Sequence, residues 1–201
     1  AFEKQLDIMC AGAFSVSNDS DLKWVYFLDG LKDGDNNIAA LIRCNDMLRQ
    51  TFADSEHYQN YSVIMKNELI FRKSGMVVGD KFFYDNYCTY QNTDFETWRK
   101  QSFESNTWQL FPLEEIDTGE RTFQAMTFSY PVRNYIQQEP EANAVVQFLL
   151  SKENLEQMFG QLLSRQGGIL IYDAEDRLLA SLGKINADGD DPENTDLFLS
   201  E

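Results

Sequence analysis

Apolar residues at the start of the chain recur at helical intervals: Leu6, Met9 and Cys10, then Ala13 and Phe14. Asp19 or Ser20 can cap a second segment carrying Leu22, Trp24, Val25, Phe27 and Leu28, which Gly30, Gly34 and Asp35-Asn36-Asn37 interrupt. A third helix is predicted with Ile38, Leu41, Ile42, Asn45, Leu48 and Phe52 on one face, packed against a sheet. From Tyr61 the period shortens to two. Tyr61 to Met65 and Leu69 to Phe71 read as strands around Lys66-Asn67-Glu68, and the hairpin continues through Ser74-Gly75 to Met76-Val77-Val78.

Two short amphipathic helices follow, Lys81 to Cys88 and Asp94 to Phe103. Three strands come next, Thr107 to Leu110, Thr122 to Tyr130 and Asn143 to Leu149, with Asp117-Thr118-Gly119-Glu120 as a turn. The apolar run Ala144 to Leu150 meets Ser151, whose hydroxyl can cap a helix bearing Asn154, Leu155, Met158, Phe159, Leu162 and Leu163. Gly167 and Gly168 end that helix. A hairpin is expected from Ile169 to Leu182 around Asp173-Ala174-Glu175-Asp176, outside the preceding sheet. The fold class is therefore α+β, with a five-stranded antiparallel sheet, N-terminal helices and the start of a second module. The expected divisions are 1–60, a helical segment; 61–150, the sheet module; and 151–201, a connecting helix and partial second module.

Length and composition permit this. The 201 residues are 43% hydrophobic and 13% aromatic, ample for packed cores. No run approaches the roughly 20 apolar residues that span a bilayer, so the piece is expected to be soluble, with any membrane helices outside it. Its start at Ala1, without a signal-like segment, suggests a processed protein or an excised fragment. Seventeen basic residues against 33 acidic ones give a net charge of −16, which repels phosphate backbones, and no direct nucleic-acid contact is expected. Cys10, Cys44 and Cys88 fit neither a disulfide framework nor a zinc motif and read as buried or half-buried thiols.

Four places taken in order resemble the extracytoplasmic double Cache (PAS-like) sensor domains of bacterial membrane receptors. Tyr61 to Phe71 looks like the opening strands, and Phe95-Glu96-Thr97-Trp98-Arg99-Lys100 like the aromatic-basic helix beside the ligand pocket. Asp117 to Glu120 followed by Met126 to Val132 is similar to the family's turn and strand, and Ala144 to Leu155 to its last strand and connecting helix. Phe82-Phe83-Tyr84-Asp85-Asn86-Tyr87 ahead of the tryptophan helix most resembles Gram-positive sensors joined to AraC-type DNA-binding domains. The resemblance implies a PAS-like sheet, flanking transmembrane helices, a small-molecule ligand and a transcription-regulating output. Histidine kinases and chemoreceptors carry similar modules. Amino-acid-binding members pair Trp with Tyr and place an aspartate near the final strand. Here Trp98 precedes Arg99 and that strand ends Phe148-Leu149-Leu150, so a free amino acid is not expected.

Catalysis has little support. The sole histidine, His57, reads as a solvated helix-end residue, and no GxSxG, HExxH or phosphate-cradling loop is present. No metal or cofactor is expected: Asp188, Asp190 and Asp191 cluster, but Pro192 takes the place of the third calcium ligand, and the stretch to Asp196 reads as a solvated loop. The ligand-binding candidates are Tyr84, Tyr87, Trp98, Trp108, Gln124, Tyr130 and Arg133, the aromatics as pocket walls and Arg133 as an anion contact. Along Thr122 to Tyr130 the bulky row Gln124, Met126, Phe128 and Tyr130 is assigned to the pocket under the two short helices, with Phe123, Ala125, Thr127 and Ser129 toward the N-terminal helix. The competing reading is an interaction module, such as a homodimer, with the pocket filled by side chains.

Overall fold

The computed structural model describes residues 2–25, 34–53, 60–133, 142–184 and 194–198. Helices α1 (Phe2–Asn18), α2 (Ser20–Val25) and α3 (Gly34–Thr51) lie on one face of a seven-stranded antiparallel sheet. The strands are β1 (Asn60–Met65), β2 (Leu69–Arg72), β3 (Gly75–Val78), β4 (Thr89–Tyr90), β5 (Gln109–Asp117), β6 (Thr122–Val132) and β7 (Ala144–Ser151), in the order β3-β2-β1-β7-β6-β5-β4. Helices α4 (Asp80–Tyr87) and α5 (Phe95–Glu104) cover the other face. Four of the expected strands form the centre of the sheet with β5, which runs Gln109–Asp117 where Thr107 to Leu110 was expected, and the sheet gains an edge strand on each side: β3 pairs with β2, and β4 with the end of β5. The hairpin that makes β3 was visible, but a two-residue strand such as β4 leaves no periodic signal.

Every residue of β7 is buried, because helices cover both sides of it. Ala144, Val146, Phe148 and Leu150 enter the core beneath α1 and α3, while Val145 and Leu149 enter the core beneath α4 and α5. β6 alternates in the same way, and this overturns the assignment of its faces. Met126 and Phe128 are fully buried on the side of the N-terminal helices, whereas Ala125 and the partly buried Phe123 belong to the α4–α5 core. The small residues of β6 lie beneath closely approaching helices. Those helices are α4 and α5, which bring Phe83, Tyr84 and Trp98 to fill the volume that Ala125, Thr127 and Ser129 leave.

Local chemistry fixes the ends of the elements. Asp94 caps α5 by accepting from the Thr97 amide at 2.8 Å, and Ser151 caps the next helix by accepting from Asn154 N at 3.2 Å. The expected single helix after Ser151 is two, α6 (Lys152–Met158) and α7 (Gly160–Gln166), which meet at the non-helical residue Phe159. Gly167, at φ 77°, closes α7 in a backbone conformation that L side chains disfavour.

β8 (Gly168–Tyr172) and β9 (Leu178–Gly183) form the expected hairpin, outside the large sheet, and β10 (Asn194–Phe198) adds a parallel strand beside β8. Asn194–Asp196 are thus strand, where the sequence suggested loop; Asp188 to Pro192 lie outside the described residues, as does His57. The hairpin is not a free-standing layer. Ile169, Ile171, Leu179, Ala180 and Leu182 belong to the same buried cluster as Phe2, Leu6, Phe128 and Phe148. The N-terminal helices are rotated from their predicted faces: Leu41, Cys44, Leu48 and Phe52 are buried, while Ile38, Ile42 and Phe14 are more than half exposed. No described helix is long and apolar enough to cross a membrane.

Candidate functional site

The seven residues singled out from the sequence do not converge on one pocket, because β6 has the opposite parity. Tyr84 and Trp98 are buried beneath α4 and α5, with ring centroids 5.4 Å apart, and Tyr87 packs at the rim of that core. Trp108 and Tyr130 lie on the other face, where Trp108 stacks on Phe128 at 5.8 Å. Arg133 follows β6 and donates to the Ser105 carbonyl at 3.0 Å and to Asn106 Oδ1. Gln124 is exposed near Ser151 and Lys152, at the opposite end of β6 from Tyr130.

Trp108, Tyr130 and Arg133 do share a cavity of about 450 Å³. Its other wall is the β8–β9 turn: Asp173, Ala174, Glu175, Arg177 and Leu179. The two sheets therefore build it jointly. Asp173 organises that turn by accepting from the amides of Glu175 at 3.1 Å and Arg177 at 2.8 Å, and its carboxylate pairs with the Arg177 guanidinium at 2.8 Å. Desolvation pushes the Asp173 carboxyl up, but the bonds from Arg177 and Glu175 and the Arg177 charge together outweigh it and hold the carboxyl below its ordinary range. Arg177 also reaches across to the Leu110 carbonyl at 3.4 Å, tying the turn to β5. The cavity offers an indole, a phenol, two guanidiniums and two carboxylates. Such walls can stack a planar group and hold polar ends of either sign.

The space beneath α4 and α5 is largely occupied by the protein itself. Phe83, Tyr84, Tyr90, Trp98 and Phe103 are all buried, and Tyr90 shares a 3.0 Å hydrogen bond with Thr127. Burial pushes the Tyr90 phenol well up and the Cys88 thiol to about 12, so both groups stay neutral at ordinary pH. The Trp98 indole N–H is buried without a hydrogen-bond partner among the described residues, at the edge of a cavity of about 230 Å³ that Tyr90, Glu114 and Arg177 also line. Glu114 is engaged there by the Asn92 amide at 2.9 Å and the Thr93 hydroxyl at 3.0 Å. Among the described residues no three His, Cys, Asp or Glu side chains gather as a metal site would require.

Sequence reasoning missed the junction walls. Asp173 to Asp176 was read only as a turn, and nothing in its composition announces which part of the first sheet it faces. The signal lay in the alternation of β7, where Gln147 interrupts one row and Phe148 belongs to the other, and this sets the facing of its neighbour β6.

The molecule is an α+β protein, an antiparallel sheet held between two sets of helices with a second small sheet against one side and a ligand-sized cavity where the sheets meet. No protein-family model matches the chain. No curated protein matches it. Among solved structures, the periplasmic sensory domain of the Campylobacter jejuni chemoreceptor Tlp1 is similar, with 12% sequence identity and a TM-score of 0.45. The similarity covers 77% of this chain and 58% of that one.

Proposed function

We propose that the chain is an extracytoplasmic sensor region that binds a small molecule between its two sheets and passes the resulting shift to a transcription-regulating output domain across the membrane. The observation that carries this reading is the 450 Å³ cavity with Trp108, Tyr130 and Arg133 on one wall and Asp173, Glu175 and Arg177 on the other. That volume lies within the range of about 300–1,000 Å³ typical of small-molecule sites. A ligand touching both walls favours one relative placement of the sheets, and differential affinity for two placements is what a two-state receptor needs. The AraC-type output and the flanking membrane helices rest on the sequence resemblance, carried chiefly by Phe82 to Tyr87 and the Trp98 helix. The role is non-catalytic and requires no cofactor.

The test is a thermal-shift screen of small metabolites, with Ala174→Trp included to fill the cavity. Compounds that raise the melting temperature of the native chain should lose that effect in Ala174→Trp and in Trp108→Ala. Stabilisation that persists in both variants would overturn the junction as the sensing site.

A second reading is a dimerisation module. Specific support for it comes from Ile8, Phe14, Ile38 and Ile42 on α1 and α3, which are 48–60% exposed. A monomer at high micromolar concentration in analytical ultracentrifugation would remove it.

A further inference from the structure

At the opposite end of the large sheet from the junction lies another cavity, of about 240 Å³, on the face covered by α4. Its walls come from the β2–β3 turn, the end of α4 and the β5–β6 turn. Arg72, Lys73 and Arg121 all line it, against one carboxylate, Glu120. Against the chain's excess of acids over bases, a concavity lined by three cations and one carboxylate is a local reversal of charge. Among the described residues Lys81, Lys100, Arg99 and Arg177 are each paired with an acid, Asp85, Glu104, Asp80 and Asp173. The three cations of this cavity form no such pair with any described residue.

Two of them are held in place by aromatic rings instead. The Arg72 guanidinium carbon sits 3.8 Å from the centroid of Tyr87, and that of Arg121 sits 4.8 Å from the centroid of Phe123. A guanidinium laid on a ring is oriented without being neutralised, so its N–H edge stays available to an acceptor. Arg72 also donates to the Ser74 hydroxyl, which fixes it further. Ser62, Thr118 and Asn60 add neutral polar groups to the lining. Cys88, also in the wall, is a neutral thiol and brings no competing negative charge.

We infer that this cavity is a binding site for a small oxyanion carrying two or more negative charges, of the dicarboxylate or phosphate class. Three like charges around one concavity repel each other, and a bound dianion converts that repulsion into charge-assisted hydrogen bonds from preoriented donors. The small volume and polar lining suit a compact anion rather than a lipid or a peptide. The inference does not depend on the junction cavity or on the sensor reading.

The experiment is titration of the intact chain with succinate and, separately, inorganic phosphate, at constant ionic strength set with sodium chloride, read by calorimetry and melting temperature. At least one of the two should bind and raise the melting temperature where matched chloride does not, and the tighter binder identifies the class. Arg72→Met and Arg121→Met should each weaken that binding by about tenfold or more, because each removes a charged hydrogen-bond donor. Trp108→Ala should leave it unchanged. Without anion, Arg121→Met should melt at or above the native temperature, since removing one of three unpaired cations relieves repulsion. Binding of neither anion, equal stabilisation by chloride, undiminished binding in both arginine variants, or a lower melting temperature of Arg121→Met without anion would each overturn the site.

Discussion

Gln147 at the centre of β7 donates from Nε2 to the Ser102 hydroxyl of α5 at 2.9 Å, with both side chains buried. Ser102 in turn donates to the Trp98 carbonyl at 2.7 Å, so one polar chain links the sheet to the helix that holds the tryptophan. The Gln147 Oε1 atom has no partner among the described residues. Ser102→Ala leaves the Gln147 amide without its acceptor and should cost about 1–3 kcal/mol, read as a lower midpoint in urea unfolding. Gln147→Leu in the Ser102→Ala background should recover most of that loss. A double variant no more stable than Ser102→Ala would show that the pair does not fix α5.

Gly119 sits at φ 75° in the β5–β6 turn, and a Cβ there would overlap the Asn86 carbonyl oxygen at the end of α4. Gly119→Ala therefore meets both backbone strain and a rigid backbone neighbour, and should destabilise by more than about 1 kcal/mol. Gly75→Ala has positive φ, 137°, but open space around it, so its cost comes from backbone strain alone. Thermal unfolding of the two should rank Gly119→Ala as the less stable.

Stability should fall on the alkaline side. Burial raises the Cys88 thiol from 9.0 to about 12, and the Tyr61 phenol from 10.0 to about 12 with the Arg49 charge opposing. The folded state keeps these protons to about pH 12, while the unfolded chain begins to lose them near pH 9 to 10. Their contribution is complete below pH 9 and diminishes as pH rises toward 12. Urea midpoints between pH 7 and 11 should decline, and less steeply in Cys88→Ala. A flat profile would contradict the burial of these groups.

Phe128 is fully buried between Trp108 and Phe148, with ring centroids 5.8 and 5.9 Å away. Phe128→Ala should cost about 3–5 kcal/mol. Gln124→Ala, at an exposed position, should change the unfolding midpoint little. The sequence pattern put both in one pocket-lining row, and the large cost at Phe128 tests its placement in the core beneath the N-terminal helices rather than in a pocket.

Much of the architecture is legible in the residues. Asp94 and Ser151 announce helix starts through their side chains, Gly167 announces a stop, and the unbroken apolar run from Ala144 marks a strand covered on both sides. Period two shows that β6 alternates but not which row faces which helices, because each core contains large and small groups. Phe128 fills its side from the sheet, whereas Ala125 is small because Trp98 and Phe83 fill theirs from the helices. The same ambiguity rotated α3, where Ile42 is as apolar as Leu41 yet lies outside. The cavities were harder still. Trp108 comes to share a cavity with Asp173, and Arg72 with Arg121, only after the chain has folded, and turns leave no periodic trace of what they face.

The buried cluster that runs from Phe2 through Phe128 to Leu182 passes beneath the large sheet and into the small one without a break. A fragment cut after Ser151 would present Met126, Phe128 and Leu150 without the Leu155 and Leu179 side of that cluster, and would be prone to self-association. The chain should therefore melt in one calorimetric transition, with amide protons in β7 and β8 exchanging through the same global opening. Strain applied at Phe2 cannot be absorbed by a slack linker before it reaches Leu182, because the two ends of the cluster share a single packed interior.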